Sequence, residues 1–120
     1  MTSPLQDVTV EQPRDGAAVV VLSGEHDLAT AEAVAATLDS LVEQNQLVVA
    51  DFSEAEFVDS ATLHALVETA RSAQERGASF RVQLGTAAIV ERAFQVSGVL
   101  EVLDCVPIRE EALRNGGSAR

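Results

Sequence analysis

The sequence predicts a mixed α/β domain with a largely parallel sheet of about four to five strands, an opening β-hairpin and about four covering helices. Two apolar runs without alternation, at residues 17–22 and 47–52, read as strands buried on both faces. Helical periods of apolar residues follow each run, so strand and helix alternate along the chain. At 120 residues and 47% hydrophobic content, the chain can bury one core and not two. Residues 1–120 are therefore read as one domain, with its core at about 8–104 and a short helix and tail at 107–120.

The elements follow in order. Val8 and Val10 alternate with polar neighbours, which suits a solvent-facing edge strand, and Pro13, Arg14, Asp15 and Gly16 turn it into the strand at 17–22. Ser23, Gly24, Glu25, His26 and Asp27 read as a loop at the carboxyl end of that strand. The next helix has an inner face of Leu28, Ala31, Val34, Ala35, Leu38, Leu41 and Val42, with Asp27 or Thr30 as its cap, and ends near Asn45. The strand at 47–52 passes into an acidic loop at 53–58. A helix at 61–76 then carries Leu63, Leu66, Val67 and Ala70 at three- and four-residue spacing and closes at Gly77. Phe80, Val82 and Leu84 alternate in a further strand at 79–84, which Gly85 breaks. A helix from about 86 to 97 carries Ile89, Val90, Ala93 and Phe94 and ends at Gly98, and residues 99–103 read as a short strand. Pro107 suits the first turn of a last helix through Ile108 and Leu113, and Asn115, Gly116, Gly117 and Ser118 form a fraying tail.

Charge narrows the partners. The formal net charge is −11, and between residues 15 and 70 every charged residue other than histidine is a carboxylate. Such a field repels nucleic acid and anionic lipid and attracts a basic protein surface. No apolar run approaches the roughly 20 residues that span a bilayer, and residues 1–7 lack the pattern of a signal peptide, so the expected location is the cytoplasm. The lone Cys105 cannot form an intrachain disulfide and reads as a small buried hydrophobe.

Chemistry concentrates where the acidic loop meets the helix. Ser60 suits a helix cap, as does Asp59 beside it. It also suits phosphorylation, because helix-terminus amides would stabilise the phosphate while Asp51, Glu54, Glu56 and Asp59 would repel it. Both effects are of order 1 kcal/mol on an exposed surface, so such a phosphate leaves the fold intact. At an interface the same dianion would be desolvated, and binding would be lost. A hydrolase reading of Ser60, His64 and Asp59 fails on spacing: the acid flanks the serine instead of orienting the base, and no glycine-framed turn holds the nucleophile. No catalytic residue is assigned. His26 and His64 lack metal-ligand spacing with Cys105 and read as surface or capping residues, and no cofactor is expected.

Val21, Leu22, Ser23, Gly24, Glu25, His26 and Asp27, then Val58, Asp59, Ser60, Ala61, Thr62 and Leu63, then Phe94, Val96, Ser97, Gly98 and Val99, together resemble the STAS domain family. The similarity is specifically to its anti-sigma factor antagonists. It implies that the unmodified chain binds an anti-sigma factor of the kinase-like ATPase type and releases sigma. It further implies that this partner phosphorylates Ser60 to end the binding, and that a serine phosphatase resets the switch. It places Gly24, Glu25, His26 and Asp27, together with Asp59, Ser60, Ala61, Thr62 and Leu63, against the partner. Ala61 and Thr62 stand where the family commonly has serine or threonine and then glycine, and Thr62 is an alternative phosphoacceptor. The alternative role is that of a STAS scaffold or accessory subunit, stressosome-like or lipid-transport-like, that binds a protein without phospho-switching.

Overall fold

In the computed structural model, residues 6–114 are described; the opening residues 1–5 and the tail at 115–120 lie outside them. Strands β1 (Gln6–Arg14) and β2 (Ala17–His26) form the antiparallel hairpin. Helix α1 (Leu28–Gln44) crosses to β3 (Leu47–Asp51), and the short β4 (Ala55–Val58) leads into α2 (Ser60–Arg76). Strand β5 (Ser79–Gln83), helix α3 (Ala88–Ser97), a 3₁₀ turn at Val99–Glu101, β6 (Asp104–Val106) and α4 (Arg109–Ala112) complete the order. The sheet runs β1-β2-β3-β5-β6, with β4 paired to the far end of β2. All pairings except the hairpin are parallel.

Both faces of the central strands are buried, as unalternating apolar runs require. On one face, Val20, Leu22, Val48, Ala50 and Phe52 pack against Val34, Leu38 and Val42 of α1, Leu63 and Leu66 of α2, and Val90 and Phe94 of α3. Phe52 and Phe94 meet edge to face with centroids 5.4 Å apart, a geometry worth about 1 kcal/mol beyond burial. On the other face, Ala17, Val19, Val21, Leu47 and Val49 pack against Ala112.

Two arginines fasten α4 over that second face. Arg81, buried on β5, donates from Nε to Asp104 Oδ2 at 3.0 Å and from Nη1 to the carbonyls of Glu111, Ala112 and Arg114 at 2.9–3.1 Å. Arg109 donates to Asp51 Oδ2 at 3.0 Å and to Glu11 Oε1 at 2.6 Å. The hydrogen bond to Glu11 is the main influence holding the Arg109 proton more tightly than usual, against the opposing effect of desolvation.

Four expectations change. Strand β2 continues through Gly24 and Glu25 to His26, and residues 55–58 form β4 instead of a loop, because the two segments pair with each other. Residues 99–103 contain the 3₁₀ turn, and the strand comes after them at β6. Leu28, assigned to the inner face of α1, is 76% exposed. Helix α2 closes at Gly77 as expected, where a φ of +76° lets the Gly77 N–H reach back to the last turn of the helix, and its first residue is Ser60.

Candidate functional site

The site is built where β3 hands over to β4. Asp51 Oδ1 accepts from Ser53 N at 2.8 Å, and Phe52 N donates to the Gln83 carbonyl at 2.8 Å, which fixes the chain as it leaves the sheet. Gly85 holds that turn from outside. Its φ is +74°, and a Cβ there would sit 2.7 Å from Ser53 Cα, so no side chain fits. Gly24 N then donates to the Glu54 carbonyl and Ser23 Oγ to Glu54 Oε1, binding the acidic segment to β2.

The register of β2 and β4 sets His26 beside Val58, and each strand is followed at once by an aspartate and a helix. Asp27 caps α1 by accepting from Ala29 N at 2.9 Å, and Asp59 caps α2 by accepting from Thr62 N at 3.1 Å. The two helices therefore begin side by side and pack along their length. Ser60 is the first residue of α2, is exposed, and is relieved of capping by Asp59. Between the helix starts lies a groove walled by Leu28, Ala31, Glu32 and Ala35 on α1 and by Ser60, Ala61, His64, Ala65 and Glu68 on α2.

A family model described as the STAS domain matches residues 8–112. The chain belongs to the STAS domain family. Among solved structures, this STAS domain is similar to an anti-sigma factor antagonist from Mycobacterium paratuberculosis, with 27% identity and a TM-score of 0.76 over 94% of this chain and 96% of that one. It shares its fold with the anti-sigma factor antagonist SpoIIAA in its unphosphorylated form, at 21% identity, TM-score 0.73, and 89% and 93% coverage. The same holds for the Bacillus cell fate determinant SpoIIAA in the phosphorylated form, at 20% identity, TM-score 0.66, and 89% and 96% coverage. No curated protein matches the sequence.

Within this STAS domain the expected partner-facing residues divide by exposure. Glu25 and Ser60 are exposed, and Gly24, Asp27, Asp59 and Ala61 are half-buried. His26, Thr62 and Leu63 are buried. His26 is no surface residue: its Nε2–H donates to the Ser23 carbonyl at 3.0 Å and its Nδ1 lies 3.3 Å from Thr30 Oγ1, tying the end of β2 to the start of α1. Thr62, the alternative phosphoacceptor, has a buried hydroxyl with no hydrogen-bond partner among the described residues and would reach a kinase only if the helix start opened. Two apolar residues at this end were not read as partner-facing, Leu28, which was placed on the inner face of α1, and the 43% exposed Phe57 on β4. An apolar residue just after a capping aspartate, and one next to Glu56 in the acidic segment, were the available signals.

Ser60, His64 and Asp59 do not form a catalytic arrangement. His64 is 75% exposed with Nε2 3.8 Å from Glu68, and the Asp59 carboxylate is engaged on the helix amide. Cys105 is half-buried, and desolvation, reinforced by Asp104, pushes its thiol up to about 11, so it stays protonated at neutral pH. Among the described residues no group of three His, Cys, Asp or Glu side chains is placed to hold a metal ion, and no helix is long and apolar enough to cross a membrane.

Proposed function

We propose that this STAS domain is an anti-sigma factor antagonist that binds a kinase-like anti-sigma factor through the paired helix starts, and that phosphorylation of Ser60 ends the binding. The observation that carries the proposal is the position of Ser60. It is exposed at the first position of α2, freed by the Asp59 cap, within the segment 15–70 that contains carboxylates and no lysine or arginine. Likeness to the mycobacterial anti-sigma factor antagonist supports the partner class.

The physics supports a switch of binding over a switch of fold. A phosphate on Ser60 projects into water in the free protein and is stabilised by the helix-start amides. Packed against a partner, the dianion would lose its hydration beside a rim of carboxylates. The unmodified end offers Leu28 and Phe57 as apolar contacts within an acidic rim, which suits a basic partner. ATP and magnesium would be supplied by the kinase-like partner, a serine phosphatase would reverse the modification, and both would act in the cytoplasm. The chain itself is a binding protein and not an enzyme in this reading.

Incubation with the kinase-like partner and ATP, followed by peptide mass spectrometry, is expected to add one phosphate at Ser60 and none at Thr62. Ser60→Asp is expected to weaken partner binding about a hundredfold, the equivalent of about 3 kcal/mol of desolvated charge, with the melting temperature unchanged. Absence of phosphate together with equal affinity of wild type and mutant would reject the switch in favour of a STAS scaffold that binds without turnover.

A further inference from the structure

His64 follows Ser60 by four residues on α2, on the same side of the helix, and both line the groove against α1. Helical Cα–Cβ bonds tilt toward the N-terminus, so a side chain at position i+4 leans back over position i. Of the nine residues lining the groove, His64 alone can carry a positive charge. The charged groups beside it are Glu68, 3.8 Å away on its own helix, and Glu32, which lines the same groove from α1. Asp59 is held on the Thr62 amide, and Glu68 is shared with Arg71 at 3.2 Å. The ring is therefore exposed, weakly held and about one helical turn from Ser60.

A phosphate on Ser60 changes what the ring meets. It brings about −1.5 to −2 charges and three acceptor oxygens, more than the Glu68 carboxylate offers. We propose that His64 is the counter-ion of phosphorylated Ser60, leaving Glu68 for the phosphate when the serine is modified. The inference rests on Ser60 being the modified residue. His64 acts here as a positioning residue that draws the phosphate along α2. As an imidazolium the ring offsets part of the phosphate charge, and as a neutral imidazole it leaves the phosphate with carboxylates alone.

Phosphoserine installed at position 60 of the full chain during translation tests the pairing without any kinase. Phosphorus NMR follows the second deprotonation of the phosphate, and proton NMR follows the imidazole signal that disappears in His64→Gln. The wild-type phosphate is expected to release its second proton about half a pH unit lower than the phosphate of His64→Gln. The His64 ring is expected to hold its proton to higher pH in the phosphorylated chain than in the unmodified one, and both differences shrink in 1 M salt. Superimposable phosphate titrations in wild type and His64→Gln overturn the pairing. A failed kinase assay instead overturns the modification, so the two failures are distinguishable. His64 is exposed, and matching melting curves verify that His64→Gln is folded.

Discussion

On the face covered by α4, carboxylates are answered by arginines: Asp51 and Glu11 by Arg109, and Asp104 by Arg81. At the starts of α1 and α2, Glu25, Asp27, Glu32, Glu54, Glu56 and Asp59 have no ion pair among the described residues. The first region is closed, with charge used to hold one element of the chain against another. The second is open, with its carboxylates in no ion pair and apolar side chains exposed among them. An acidic net charge read from composition averages the two and misses that only one of them is available to a partner.

The contrast is broken most severely by Arg109→Ala. It strands the nearly fully buried Asp51 carboxylate, and a loss of about 3 kcal/mol in urea denaturation is expected. Adding Asp51→Asn should recover part of that loss, because the stranded charge is then gone. A loss below 1 kcal/mol would mean that the pair behaves as an ordinary surface ion pair.

A smaller effect, of opposite sign, is expected at Thr62. Thr62→Val keeps the shape and removes a buried hydroxyl that has no hydrogen-bond partner among the described residues, so stability should rise by about 1 kcal/mol. Unchanged or lower stability would show that the hydroxyl finds a partner in solution.

The smallest effect on folding is expected at Leu28. Leu28→Ser should change the unfolding free energy by no more than about 0.5 kcal/mol, because the side chain is already in water. Partner affinity, measured by calorimetry, should nevertheless fall at least tenfold. A drop in stability of 1 kcal/mol or more would place Leu28 with the core and remove it from the open region.

Much of this arrangement was legible in the residues. The apolar runs, the helical periods, the Gly77 and Gly98 helix ends and the position of Ser60 at a helix start all follow from local pattern, and the observed elements agree. What was hidden depends on pairing between distant segments. Gly24 and Glu25 look like a turn, and residues 55–58 look like an acidic loop, until each supplies the other with a strand partner. His26 is buried for the same reason, which no window around it reveals. Leu28 fits the apolar period of α1 yet faces the groove, because the first turn of a helix can outrun its cover. Arg81 carried a weak signal as a charged residue opposite the inward Phe80 and Val82, but its partners lie 23–33 residues away.

The fastening of α4 also bears on the order in which the molecule assembles. A four-residue helix has no stability of its own, and its contacts join residues as far apart as Glu11 and Arg109, 98 positions along the chain. Closing so long a loop is slow compared with forming the β2–α1–β3 unit, so α4 should dock after the rest of the sheet has formed. The same logic run backwards makes it a candidate for opening on its own. Its amides should exchange with solvent faster than those of β2 and β3, while the Ser60 end stays folded.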